Sequence, residues 1–127
     1  MIRIAIADDE PLERELLSRA LRRLELEIHE AASGAELLDL LTNEGAFDLV
    51  VTDVSMPRMT GVQVLVAARG AGLETPFLVL TAFPDAQLKS QVEAFANTRF
   101  LTKPIDVLSL RASVEALLGT SGDGRAT

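Results

Sequence analysis

The segment "FDLVVTDVSMPRMTG", residues 47–61, carries an apolar run that ends on a single acid. Leu49, Val50, Val51 and Thr52 lead into Asp53, and a Met-Pro turn follows at once. A run so uniformly apolar predicts a strand buried on both faces, as in parallel sheets covered by helices. The carboxylate at its end is either an ordinary turn former or one member of a charged site. Which of the two it is depends on what the rest of the chain delivers to the same place.

On both sides of this segment, apolar runs alternate with amphipathic stretches. "IRIAIA" (2–7) runs into Asp8-Asp9-Glu10. From Pro11, which suits a first helical position, the residues Leu12, Leu16, Leu17, Ala20, Leu21 and Leu24 recur at helical spacing. Glu13, Arg14, Ser18, Arg22 and Arg23 lie between them. "LEIHEA" (26–31) alternates apolar and polar residues, as a half-exposed edge strand does. Ser33-x-x-Glu36 reads as a capping box for a helix that stops near Gly45, and Thr60-x-x-Gln63 as another. "PFLVLTA" (76–82) is a further buried strand, followed by a helix from Pro84 with Leu88, Val92 and Phe95. "RFLTKP" (99–104) is a short fifth strand. Asp106 caps the last helix, with Ile105 and Leu110 placed as a hydrophobic staple.

Strands separated by single helices give an α/β fold, (βα)5, doubly wound about a five-stranded parallel sheet with right-handed crossovers. Residues 1–118 form one domain in this reading, and 119–127 a flexible C-terminal tail or the start of a linker. The 127 residues, 48% of them apolar, suffice for a single core. With 12 basic and 19 acidic residues the net charge is −7, so nothing attracts nucleic acid or an anionic membrane. Without cysteine there is no disulfide framework and no thiolate metal site. The first apolar stretch is too short to span a bilayer, and a cytoplasmic location is expected.

In an open parallel α/β sheet, ligands sit outside the carboxyl ends of the strands. Those ends deliver Asp8, Asp9, Asp53, Thr81 and Lys103. Singly, each has a plain structural account: helix N-terminal acids, a turn acid, a strand-end threonine, a solvated lysine. Jointly they do not. Three crowded carboxylates repel one another unless a cation sits among them. The only histidine, His29, falls on the predicted edge strand, as a surface residue, so the ligand set is all oxygen and suits Mg2+, with Mn2+ also compatible. Such a cation beside a hydroxyl and an ammonium is a site for a phosphoryl group. Met56 and Met59 read as packing residues, and Asp39, Asp48 and Asp85 as exposed acids without partners.

Asp8-Asp9, Asp53-x-x-Met-Pro-x-x-x-Gly61, Thr81-Ala82 and Lys103-Pro104 together resemble the response-regulator receiver domain of two-component signalling, over residues 1 to about 118. The resemblance implies strand order 2-1-3-4-5 and makes Asp53 the acceptor of a phosphoryl group from a sensor histidine kinase or phosphotransfer protein. It also implies Asp9, Asp53 and the Ser55 backbone carbonyl as direct Mg2+ ligands, with Asp8 acting largely through water. Thr81 and Lys103 would hold the phosphoryl oxygens, and Phe100 would be the aromatic that turns inward with Thr81.

The function so implied is a signalling switch, not an enzyme beyond its own phosphorylation and slow dephosphorylation. Its output face is helix four, strand five and helix five. The receiving partner is an unspecified downstream protein or a C-terminal effector domain, with dimerisation through the same face as a further form. Ala96-Asn97 and Arg99 depart from the family's usual residues near that face. Two alternatives stand beside this one: a pseudo-receiver that signals without phosphate, and a metal-dependent phosphatase with an aspartyl nucleophile. The intact acids, threonine and lysine weigh against the first. Against the second, neither Ser55 nor Phe83, which flank the family's water approach, is a good base.

Overall fold

The computed structural model describes residues 1–22 and 25–121. Five strands, β1 (Ile2–Ala7), β2 (Leu26–Ala31), β3 (Leu49–Asp53), β4 (Phe77–Thr81) and β5 (Thr98–Thr102), alternate with five helices. These are α1 (Pro11–Leu21), α2 (Gly34–Asn43), α3 (Gly61–Gly70), α4 (Ala86–Glu93) and α5 (Val107–Ser121). The sheet is parallel throughout, in the order β2-β1-β3-β4-β5, as the resemblance implied. Ala7 lies opposite Thr52, Asp53 opposite Leu80, and Thr81 opposite Thr102. This register brings the carboxyl ends of β1, β3, β4 and β5 out along one edge.

Alternate strand residues feed two cores, because successive side chains point to opposite faces of a sheet. Ile4, Ile6, Leu49, Val51, Leu78 and Leu80 pack with Leu17 and Leu21 of α1 and with Leu110, Val114 and Leu117 of α5. Ala5, Ala7, Val50, Phe77 and Val79 pack with Leu37, Leu65 and Val92 on the other face. Every residue of β3 and β4 is buried, which accounts for their unbroken apolar runs. Met56 and Met59 join the second core, as expected of packing residues.

Helix ends follow local chemistry, with some departures from expectation. Thr60 and Gln63 close a full capping box at α3. At α2 only half of the expected box forms: Ser33 accepts from the Glu36 N–H, while the Glu36 carboxylate accepts from Ala32 at 2.8 Å. The fourth helix starts at Ala86 and not at Pro84, because Asp85 supplies the capping oxygen, accepting from the Gln87 N–H at 3.1 Å. Asp106 caps α5 through the Ser109 N–H at 2.8 Å, and the helix runs on past residue 118 to Ser121. Residues 122–127 of the expected tail lie outside the described residues, as does Leu24.

Helix α1 uses a different face from the one its leucines suggest. Leu12 and Leu16 are 65% and 56% exposed, whereas Leu17 and Leu21 are buried. The residue one turn before Leu17 on that buried row is Glu13. Ser18, placed among the polar residues, is fully buried and donates to a Glu30 carboxylate oxygen at 2.9 Å.

The three acids expected to lack partners all have one. Asp48 accepts from the Arg3 N–H at 2.8 Å, Asp39 accepts from the Asn43 amide at 2.8 Å, and Asp85 is the α4 cap. His29 does lie on β2, which is an edge strand, but it is half-buried. It meets the Glu27 carboxylate at 2.5 Å and stands edge-on to Phe47 at 5.4 Å. Among the described residues no helix is long and apolar enough to cross a membrane.

Candidate functional site

Asp8 is the first residue beyond β1, where the strand hands the chain to the α1 N-terminus. It is fully buried. Its Oδ1 accepts from the Glu10 N–H at 2.9 Å, which fixes the carboxylate as the turn begins. Asp53 closes β3 and is 7% exposed. Its Oδ1 accepts from the Ser55 N–H at 3.3 Å, leaving Oδ2 to face the neighbouring strand ends. The chain can turn away beneath it only because residue 61 is glycine. A Cβ there would stand 2.3 Å from the Asp53 carbonyl oxygen.

Lys103 leaves β5 with its N–H bonded to the Thr81 carbonyl at 2.7 Å, so its side chain extends back across the sheet edge. Its ammonium donates to Asp53 Oδ2 at 3.0 Å, to Asp8 Oδ2 at 3.3 Å and to a carboxylate oxygen of Glu13. Oxygens of Asp8, Glu13 and Asp53 lie within 4.8 Å of one another. Thr81 ends β4, buried, and its Oγ1 accepts from the Phe83 N–H at 3.1 Å. Phe83 itself is 76% exposed.

The electrostatics follow from this crowding. Burial pushes the Asp8 carboxyl up to about 6, with Asp53 and Glu13 adding to the rise. The Glu10 N–H and Lys103 oppose it without cancelling it. The hydrogen bond from Lys103 holds Glu13 below its ordinary value. For Lys103, burial works against the charge, but Glu13, Asp53 and Asp8 outweigh it and the ammonium is held more firmly than usual. One cation thus faces a concentrated negative potential. A set of oxygens this close could hold a metal ion.

Of the residues singled out in the sequence, Asp8, Asp53 and Lys103 are joined directly, and Thr81 adjoins them through the Lys103 backbone. Asp9 is exposed and stands outside the close group of carboxylates, and Ser55 is exposed beside Asp53. Phe100 is half-buried on β5 against the second core, bordering a shallow recess with Pro84, Lys89 and Thr102. Sequence reasoning missed Glu13. Its signal was positional: a charged residue on the same i, i+4 row as Leu17 and Leu21, one turn from the strand end.

Comparison with known proteins bears on the fold and the family. The chain is 37% identical over 118 residues to the response regulator MprA of Mycobacterium sp. (strain KMS), covering 92% of this chain and 50% of that protein. It is 34% identical to the response regulator protein PilR of Pseudomonas aeruginosa, covering 89% of this chain and 25% of PilR. The chain therefore spans about half the length of the MprA relatives and less of PilR. Among solved structures, the chemotaxis response regulator CheY4 of Vibrio cholerae superposes with a TM-score of 0.81 at 29% identity, over 92% of this chain and 98% of CheY4. The receiver domain of the response regulator NarL from Mycobacterium tuberculosis gives 0.81 at 30% identity, over 93% and 97%. The pattern of the response regulator receiver domain matches residues 4–115. With that match over most of its length and the strand order β2-β1-β3-β4-β5, the chain belongs to the receiver-domain family of response regulators, the signalling switches of two-component systems.

Proposed function

We propose that this receiver works by phosphorylation of Asp53, with a phosphohistidine of a sensor kinase or phosphotransfer protein as donor. The observation that carries the reading is the Lys103 ammonium bonded to Asp53 and Asp8 at the carboxyl end of a parallel sheet. An Asp53 carboxylate oxygen attacks phosphorus, and the phosphorus–nitrogen bond opposite it breaks, with its electron pair left on the imidazole. Lys103 then shifts its hydrogen bond from Asp53 Oδ2 to a phosphoryl oxygen, and the Thr81 hydroxyl donates to another. Phe100 follows Thr81 inward, which alters the surface of α4, β5 and α5.

The all-oxygen donor set fits Mg2+ or Mn2+, which Asp9, Asp53 and the Ser55 carbonyl would hold, with Asp8 behind them. When bound, the ion supplies positive charge that offsets the crowding of carboxylate and phosphoryl oxygens. The exposed Leu16 and Val107, which line a recess together with Asp8, Glu13 and Lys103, offer apolar surface to the phosphodonor protein. The output goes to a downstream protein or effector domain through the α4, β5 and α5 face, and the molecule works in the cytoplasm.

The test is intact mass after treatment with acetyl phosphate and Mg2+. A single lasting phosphate is expected. None would make the domain an interaction module independent of phosphate, and steady release of inorganic phosphate would make it a phosphatase.

The phosphate should persist for minutes or longer, because the water that hydrolyses it must approach in line past residue 83. Phe83 is bulky and offers water no acceptor. Phe83→Glu is expected to shorten the lifetime roughly five- to tenfold by opening the path and orienting that water. Phosphate loss from purified protein in Mg2+ without kinase measures it. Decay of the wild type within seconds, or no acceleration in the variant, would remove Phe83 from this role.

A further inference from the structure

Lys103 meets one carboxylate more than the phosphoacceptor chemistry requires. Glu13 belongs to the first turn of α1, ninety positions away in sequence, and its carboxylate takes a hydrogen bond from the Lys103 ammonium. The simple account of an acid in a first helical turn is the helix dipole. That account is incomplete here, because Glu10 already caps α1 and the Glu13 side chain reaches across to another element. We propose that Glu13 is a positioning residue which restrains Lys103 in the unphosphorylated protein and sets how readily the site accepts a phosphoryl group. The inference deepens the phosphoacceptor reading and rests on it.

An ammonium has three N–H donors. In this structure they face Asp8 at 3.3 Å, Asp53 at 3.0 Å and Glu13, so none is spare for a phosphoryl oxygen. Phosphorylation changes the demand. The Asp53 carboxyl, now an acyl phosphate, loses its charge and the phosphoryl group carries up to two, so the site gains up to one negative charge. Lys103 must follow that charge toward the phosphoryl oxygens, while Glu13 holds it toward α1. Glu13 also repels the incoming charge directly. Removing the Glu13 charge therefore frees the lysine and lowers the repulsion together. Both changes favour the phosphoryl-bound state.

The Glu13 side chain is 48% exposed, so water screens much of its field. The gain expected on its removal is accordingly moderate, roughly three- to tenfold in affinity for a phosphoryl-like group. The same charge has the opposite effect on a cation, so its loss should weaken Mg2+ binding. Opposite signs for the two ligands distinguish a charge acting at the site from a general loosening of the fold.

The experiment compares wild type, Glu13→Gln and Glu13→Ala, with beryllofluoride as the phosphoryl mimic at saturating Mg2+. Affinity is read by titration calorimetry, and the acetyl phosphate reaction is resolved into apparent KM and maximal rate. Both variants should bind beryllofluoride three- to tenfold more tightly, show a lower apparent KM, and need more Mg2+ for half-saturation. Affinities within twofold of wild type, or weaker beryllofluoride binding in both variants, would overturn the role of Glu13 and leave the phosphoacceptor reading standing. A wild type that neither binds beryllofluoride nor takes phosphate would overturn both.

Discussion

Asp53→Asn is expected to fold like the wild type and to take no phosphate from acetyl phosphate or a phosphohistidine donor. The substitution keeps the shape of a side chain that is nearly buried at the end of β3. Its carbonyl oxygen can still accept from the Ser55 N–H, where Oδ1 does so now at 3.3 Å. What disappears is the anionic oxygen. An amide is neutral, its oxygen is a poor nucleophile, and its nitrogen cannot attack phosphorus. The Lys103 contact at 3.0 Å also loses its charge partner, although Asp8 and Glu13 continue to hold the ammonium. Stability should therefore change little while acceptance falls by at least about a thousandfold, the scale on which loss of a reacting group acts. Intact mass with peptide mapping reads the result. Stoichiometric phosphate elsewhere in the variant, on Asp8 or the exposed Ser55 for example, would show that Asp53 is not the nucleophile.

The fold was legible because its decisive strands are buried on both faces. Every position of β3 and β4 is buried and their leading residues, Leu49 to Val51 and Phe77 to Leu80, are all apolar, so their runs stand out whatever the helices do. Strand order was not legible from periodicity, which is silent about which strands are neighbours; it came with the family resemblance. Helix α1 shows where pattern reading weakens. Its leucines fall on two adjacent rows, and only the sheet beneath decides that Leu17 and Leu21 turn inward while Leu12 and Leu16 stay in water.

The site was legible at the level of strand ends, since the parallel topology alone sends Asp8, Asp53, Thr81 and Lys103 to one edge. Glu13 was not, because it belongs to a helix face. Its meeting with Lys103 depends on how α1 lies over the sheet. Asp48 and Asp39 were misjudged for a similar reason: their partners, the Arg3 N–H and the Asn43 amide, are fixed by strand pairing and by a helical turn, not by residue type.

Without divalent metal, the protein should lose stability as pH rises from about 4.5 to 7, and Asp8→Asn should abolish that loss. The Asp8 carboxyl is fully buried and pushed up to about 6, chiefly by burial, with Asp53 and Glu13 adding and the Glu10 N–H and Lys103 opposing. An acid whose folded value is raised stabilises the fold fully below its unfolded value, and that contribution is lost as pH climbs through the folded value. Asp8 thus contributes on the order of 3 kcal/mol near pH 4 that is gone by pH 7. Glu13 works in the other direction and in another window. Its lowered value, set by Lys103, adds stability above pH 4.5 that is lost on further acidification, so it does not mask the Asp8 slope. A bound cation favours ionised Asp8, so Mg2+ should stabilise the wild type more at pH 7.5 than at pH 5. In Asp8→Asn the amide oxygen keeps the Glu10 N–H, while the amide group facing Lys103 loses one charge contact. The net gain for the metal-free variant at pH 7.5 is therefore smaller, on the order of 1–2 kcal/mol, and its response to Mg2+ should be weak. Urea unfolding of both proteins at pH 5 and 7.5, in chelator and in Mg2+, measures all of these. The difference between the two proteins isolates Asp8 from the other carboxylates. A wild type no less stable in chelator at pH 7.5 than at pH 5, or a variant with the same slope, would show that Asp8 is not the group strained by burial.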